Sequence, residues 1–167
     1  LEFRRVLFRS RTPLECLELT GVFYLPQDGL EKCLPVIVMC CALGWYDALR
    51  FGSESGRAEI VNNERMFASA YIIGGDQAKK QLVELFEHKQ KRLAELVQQG
   101  LAFAEKNRDA SRYDHQWPTA YGMERMMEGL RGKAQPIPPL AREKWDEAWQ
   151  ETRKRIGDYY HVAIDTK

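Results

Sequence analysis

The side chains with the most reactive chemistry in this sequence follow one another in one polar stretch, RYDHQWPTAYG at residues 112–122. His115 lies outside the predicted helix interiors, and an imidazole ordinarily titrates close to neutral pH. Asp114 precedes it directly in the sequence. A carboxylate that supports an imidazole is a common arrangement for a general base. His115 and Asp114 are therefore the candidate catalytic residues.

Two other interpretations of this stretch remain open. It could be an anchored connection between helices, in which Trp117 inserts into the core and a polar side chain accepts hydrogen bonds from backbone amides. It could also be a recognition surface that uses Arg112, Tyr113 and Trp117. In an extended segment Asp114 and His115 point to opposite sides, so each would meet partners elsewhere in the fold. We expect an anchored connection, with some recognition through Tyr113 and Arg112.

A second polar group is predicted on two consecutive helices, and it consists of Asp47, Arg50, Glu54, Arg57 and Glu64. Asp47 interrupts an apolar helix, and a buried carboxylate needs a partner that compensates its charge. Arg50 is three residues further on and can reach Asp47 on the same helix face, with Arg57 as the alternative. The pattern favours structural ion pairing, and a polar pocket for a ligand or a partner protein remains the other interpretation.

The sequence has no short motif for catalysis or cofactor binding: GxSxG, HExxH, GxxxxGK[ST] and GxGxxG are all absent. It also has no cysteine and histidine spacing typical of a zinc site. It has 25 Lys and Arg residues and 24 Asp and Glu residues, which gives a net charge of +1. A nucleic-acid-binding protein normally concentrates basic residues to neutralise phosphates. We therefore expect no metal, no cofactor and no nucleic-acid partner.

The four cysteines leave the redox compartment open. Cys40 and Cys41 are adjacent within an apolar run, where buried free thiols are expected. Cys16 and Cys33 could form a disulfide in an oxidising compartment.

Periodicity and capping residues predict an all-α fold. A capping box at Thr12 to Glu15 starts the first helix, and the other helices are expected at about 34–51, 55–73, 77–106, 119–130 and 140–161. This predicts one irregular helical bundle of about five to six helices over residues 11–167. The 77–106 helix would be long and central, and the 140–161 helix is amphipathic, with Trp145, Trp149, Thr152, Ile156 and Tyr159 or Tyr160 on its apolar stripe.

Two apolar segments allow more than one interpretation. The run at 34–51 has only about thirteen residues before Asp47, whereas a membrane span needs about twenty. A buried core helix is therefore expected, and association with a membrane through 34–51 is the alternative. Met123, Met126 and Met127 are expected to pack in the core, with an adaptable partner-binding face as the alternative.

Residues 1–10, LEFRRVLFRS, resemble a translated adapter or cloning junction and join abruptly to the rest of the chain. If they are such a junction, the native start is missing, together with any signal peptide that it carried. A cytoplasmic location is favoured, and a periplasmic or secreted one stays open.

The function that these patterns favour is a non-enzymatic helical module that binds another protein through the charged helix pair, which carries Asp47, Arg50, Glu54, Arg57 and Glu64, and the aromatic 112–122 stretch. In its helices, its balanced charge and its absence of catalytic motifs, the chain is similar to small bacterial immunity, adaptor and secretion-accessory proteins. The alternative is a small hydrolase or transferase with His115 as its general base. A homodimer is compatible with either function.

Overall fold

The computed structural model describes residues 11–52, 54, 57, 58, 60, 61, 75–109, 114–120, 123–132 and 137–164. Every regular element among these residues is helical, and none of them forms a strand. The predicted all-α class is therefore confirmed. Residues 1–10 and most of the helix predicted at 55–73 lie outside the described residues.

The first described helix begins with the predicted capping box. The Thr12 hydroxyl accepts a hydrogen bond from the Glu15 amide at 3.3 Å, and the Glu15 carboxylate accepts one from the Thr12 amide at 2.8 Å. These bonds start α1, Pro13–Leu19, which continues through a π-helical segment, Thr20–Tyr24, into α2, Leu25–Asp28. Pro26 lies in the first turn of α2, directly after the π-helical segment.

The helix at the centre of the bundle is α3, Leu30–Arg50, and 18 of its 21 residues are buried. Gly29, with φ 77°, is its N-cap residue. Pro35 lies inside α3, in its second turn, where the missing amide removes a single hydrogen bond. By length and composition α3 could cross a membrane, but 89% of its apolar window is buried against the protein. This burial is the pattern of a core helix.

The segment predicted to be one long helix, 77–106, forms two helices that each pack against α3. The first, α4, is Gly75–His88, and the second, α5, is Gln90–Asn107. Lys89 separates them with φ −129° and ψ 41°, which lies outside the helical region. α5 packs along α3, and Leu93, Leu96, Val97, Leu101 and Ala104 are its buried apolar side chains.

Gly100 sets the close approach of these two helices. A Cβ atom at this position would lie 2.6 Å from Cβ of Val38 and 2.7 Å from the carbonyl oxygen of Pro35. Both distances are far below van der Waals contact, and one of the two atoms belongs to the α3 backbone. The sequence suggests only that Gly100 weakens its helix by about 1 kcal/mol relative to alanine. In the fold, alanine would push α5 away from α3.

Three shorter elements and a long helix complete the described chain: a 3-10 turn at Trp117–Ala120, α6 at Met123–Leu130, a 3-10 turn at Arg142–Lys144, and α7 at Trp145–Tyr160. Trp149, Thr152, Ile156 and Tyr160 of the predicted α7 stripe are buried, whereas Tyr159 is exposed. Met126 and Met127 of α6 are exposed as well, so the expectation that they pack in the core is wrong.

Candidate functional site

The two polar groups singled out in the sequence meet at Asp47, near the C-terminal end of α3. The Asp47 side chain is fully buried. Nη2 of Arg50, one helical turn further on, donates a hydrogen bond to Oδ1 of Asp47 at 2.6 Å. Both members of this ion pair are buried, so the arginine compensates the cost of placing a carboxylate in the core. Arg50 is thus the partner of Asp47.

Two side chains from the 112–122 stretch also lie next to this carboxylate. Nε1 of Trp117 donates a hydrogen bond to Oδ2 of Asp47 at 2.8 Å, across 70 positions of sequence. Nδ1 of His115 lies 3.4 Å from Oδ1 of Asp47, within ion-pair distance for a protonated imidazole. We refer to Asp47, Arg50, His115 and Trp117 as the Asp47 cluster.

The turn that carries His115 and Trp117 is held by its own hydrogen bonds. The Asp114 carboxylate accepts a hydrogen bond from the Gln116 amide at 2.9 Å, as in an Asx turn. The Asp114 carbonyl accepts one from the Trp117 amide at 3.2 Å, and the Thr119 hydroxyl donates to the Gln116 carbonyl at 2.8 Å. Asp114 therefore shapes the turn, and the carboxylate that lies near His115 is that of Asp47.

Aromatic rings surround the Arg50 guanidinium on its other sides. Its central carbon lies 4.7 Å from the ring centre of Tyr46 and 5.1 Å from that of Trp145, both within cation–π range. Nε1 of Trp145 donates to the Leu140 carbonyl at 2.9 Å, and the Leu140 amide donates to the Arg50 carbonyl at 2.6 Å. These contacts attach the segment before α7 to the end of α3.

Tyr46 and Arg108 are important neighbours that sequence reasoning missed. Tyr46 is buried, and its ring packs edge-on against Trp149 at 5.7 Å between ring centres. The Arg108 guanidinium lies 5.7 Å from the ring centre of Tyr46 and 5.4 Å from that of Trp149. Burial raises the pKa of Tyr46, and Arg50 opposes this shift. The four-residue spacing between Tyr46 and Arg50 was a signal for part of this arrangement.

The other predicted site residues do not join the cluster in the described structure. Glu54 is exposed and Arg57 is half-buried. Among the described residues no ion pair links the two. Arg112, Tyr113 and Glu64 lie outside the described residues.

The geometry of the Asp47 cluster indicates an internal anchor. Three side chains from two distant segments face one carboxylate, and Asp47, Arg50 and Trp117 are too deeply buried to contact a partner themselves. His115 is the member that reaches the surface, with 27% of its side chain exposed. In the described part of the chain, no three His, Cys, Asp or Glu side chains are grouped closely enough to hold a metal ion.

Comparison of the chain with models of known families, with curated proteins and with solved structures gives no match. Residue roles therefore have to be inferred from the contacts and exposure of this chain's own side chains.

Proposed function

We propose that this protein is a non-enzymatic helical module that binds another protein, and that α6 carries the contact surface. The observation that supports this proposal is the exposure of three apolar side chains on one eight-residue helix. Met126 is 53% exposed, Met127 is 39% exposed and Leu130 is 77% exposed. Removing apolar surface from water contributes about 25 cal/mol per Å², so covering these side chains would be favourable.

The three side chains form one stripe on α6. Each residue of an α-helix advances by about 100° around the axis, so residues 126, 127 and 130 fall within about 100° of one another. Methionine is unbranched and has a polarisable sulfur, which lets it adapt to differently shaped apolar surfaces. We call Met126, Met127 and Leu130 the α6 stripe.

The Asp47 cluster positions this stripe. Trp117 begins the 3-10 turn that packs against both α3 and α6, and its indole donates a hydrogen bond to Asp47. The buried polar contacts therefore fix the segment that leads into α6. In this proposal Asp47, Arg50 and Trp117 serve binding indirectly, by holding the stripe in place, instead of forming the contact surface that the sequence suggested.

The partner that fits the α6 stripe is an apolar segment of another protein, such as the apolar face of an amphipathic helix. Exposed side chains of both charges, Glu128 and Arg131, lie beside the stripe, and the whole chain has a net charge of only +1. Electrostatic attraction would therefore contribute little to partner selection. The shape of the α6 stripe and its apolar contacts would contribute most of the selection of a partner.

Photo-crosslinking at α6 tests the binding function. With benzoylphenylalanine in place of Met126, illumination in cells of the source organism should yield a covalent adduct whose partner is identified by mass spectrometry. The same residue in place of Val83, an exposed apolar position on α4, is the matched control and should not give that adduct. A product made of two copies of this chain would instead identify the stripe as a homodimer interface.

Replacing the two methionines should then weaken binding of the identified partner. We expect the Met126→Gln/Met127→Gln variant to raise Kd about 30-fold or more, the effect of losing a binding hot spot, as measured by calorimetry. Its melting temperature should stay unchanged because both side chains are exposed. Val83→Gln should leave Kd unchanged. Equal affinity of the double variant and the wild type would contradict the proposal.

The contact between His115 and Asp47 favours a second candidate function, a small hydrolase or transferase with His115 as general base. A buried carboxylate on one side of a partly exposed imidazole can orient it and stabilise its protonated form. Arg50 competes for the same Oδ1 atom, at 2.6 Å against 3.4 Å for His115, which reduces the support that Asp47 can give. This competition is the reason why the binding function is the first proposal.

A panel of chromogenic carboxylic esters and phosphate esters tests the second candidate. If His115 is a general base, His115→Gln should lower turnover of a hydrolysed substrate about 10²–10⁴-fold while the melting temperature is unchanged. His88→Gln is the matched control because His88 is solvent-exposed and lies on α4. Equal turnover by the two variants, or no hydrolysis by the wild type, would count against this function.

A further inference from the structure

Among the described residues, the sulfur-containing side chains that solvent reaches lie on the α6 stripe. Met126 and Met127 are 53% and 39% exposed, whereas Met39, inside α3, is only 5% exposed. These are the methionines whose side chains the structure describes, out of five in the sequence. A soluble oxidant therefore reaches the two stripe methionines before it reaches Met39.

The cysteines do not compete for such an oxidant. An exposed thiolate reacts readily with peroxide, whereas a thiol buried in apolar surroundings is inert. All four cysteines are buried in the hydrophobic core, and none of them is in a disulfide. Cys41 is the most exposed of them, at 5%. The thioethers of the α6 stripe are thus the accessible sulfur atoms of the described chain.

Hydrogen peroxide converts a methionine thioether to a sulfoxide. The sulfur lone pair attacks one peroxide oxygen, so that an S–O bond forms while the O–O bond breaks. The proton on the transferred oxygen moves to the departing hydroxide, which leaves as water. Methionine loses an electron pair, and peroxide gains it. The product is a polar side chain that carries a hydrogen-bond acceptor.

This reaction changes two of the three side chains of the α6 stripe. An apolar segment of a partner has no donor for the sulfoxide oxygen, and burying an unpaired polar atom is unfavourable. Leu130 has no sulfur and would stay apolar. Because neither Met126 nor Met127 is buried, the fold of the protein should tolerate the added oxygen atoms. Oxidation should therefore weaken binding without unfolding the chain.

We propose that hydrogen peroxide oxidises Met126 and Met127 selectively and that the sulfoxides release the partner from the α6 stripe; the second step rests on the binding function proposed above. Methionine sulfoxide reductases, one for each sulfoxide epimer, reverse the modification and restore the stripe. The contact surface is then also a reversible oxidation site.

Peptide mapping of the free protein tests the selectivity without any partner. Trypsin cleaves after Arg125 and Arg131, which places Met126 and Met127 on one peptide, MMEGLR, apart from every other methionine. In the folded protein this peptide should gain oxygen about 10-fold faster, or more, than Met39 does, because oxidation follows exposure. Fragment masses assign each oxygen to methionine or cysteine. In urea the difference should disappear, and equal rates in the folded protein would overturn the proposal.

Calorimetry with the purified partner recovered from the Met126 adduct tests the release. The protein is oxidised first, and catalase destroys the remaining peroxide before the partner is added. Kd should rise about 30-fold or more, as for the glutamine variant, because both changes make the same two side chains polar. Treatment with both sulfoxide reductases should return Kd to its value before oxidation, and the melting temperature should stay unchanged throughout.

Met126→Leu/Met127→Leu is the matched control, because leucine is apolar and similar in volume to methionine but has no sulfur to oxidise. Whatever its starting Kd, this variant should have the same Kd before and after peroxide. A loss of affinity equal to that of the wild type would place the sensitive group elsewhere and overturn the proposal.

The glutamine variant separates this inference from the binding function. If Met126→Gln/Met127→Gln binds weakly but the oxidised wild type keeps its Kd, the oxidation inference alone is overturned. If the glutamine variant binds as tightly as the wild type, the binding function and the release by oxidation are overturned together.

Discussion

Replacing Asp47 with alanine should lower the free energy of unfolding by about 3–5 kcal/mol, the usual cost of breaking a buried ion pair from one side. The substitution leaves the buried Arg50 guanidinium without its carboxylate and removes the acceptor of the Trp117 indole. Arg50 and Trp117 are both buried, so solvent does not readily replace the lost acceptor. Urea denaturation followed by circular dichroism measures the change.

An ion pair whose carboxylate is exposed provides the control for this prediction. Asp146 lies 3.5 Å from Arg108, but its side chain is 87% exposed, so Asp146→Ala should cost less than about 1 kcal/mol. The double variant Asp47→Ala/Arg50→Met should recover part of the loss because it removes the uncompensated charge. A loss below about 0.5 kcal/mol for Asp47→Ala would show that the cluster does not hold the fold together.

Replacing Trp117 with alanine should lower the free energy of unfolding by about 3–5 kcal/mol, as expected when a buried aromatic side chain is removed. His115→Ala should cost less than about 1 kcal/mol because this side chain is partly exposed and Arg50 already compensates Asp47. The same denaturation experiment measures both changes. This difference distinguishes an anchored turn from a surface loop.

Trp117→Phe separates packing from hydrogen bonding at this position. It keeps an aromatic ring in the core but removes the donor to Oδ2 of Asp47, so we expect a loss of about 1–3 kcal/mol. In a double-mutant cycle with Asp47→Ala, the double variant should lose less stability than the sum of the two single losses, because each substitution removes the same hydrogen bond. Additive effects would mean that the indole and the carboxylate do not stabilise each other. A Trp117→Ala variant as stable as the wild type would contradict the anchoring role of the whole turn.

Local features of the sequence were sufficient to predict the helical class, the first helix cap, the buried stripe of α7 and one buried ion pair. The capping box at Thr12 needs only residues three positions apart, and the structure forms it as predicted. The α7 stripe follows from helical periodicity, and its members Trp149, Thr152 and Ile156 are buried. The pairing of Asp47 with Arg50 also follows from spacing within one helix. Each of these features depends on backbone geometry that repeats every turn.

The same local rules fail where packing decides the outcome. The apolar residues of α6 suggested core packing, yet Met126 and Met127 are exposed, because composition does not say which helix faces find a neighbour. The 77–106 pattern suggested one helix, whereas Lys89 leaves the helical region so that α4 and α5 can each pack against α3. Helical periodicity continues across Lys89, so it gives no sign of the break.

The sequence by itself determined that this protein is helical and that Asp47 needs a partner, because backbone hydrogen bonding and the cost of a buried charge act over a few residues. The tertiary structure alone decided that the indole of Trp117 and the imidazole of His115 meet this carboxylate, since they come from a segment about 70 positions away. It also decided the role of Gly100. A glycine that weakens an isolated helix is required here because the backbone of α3 occupies the space that any side chain would need.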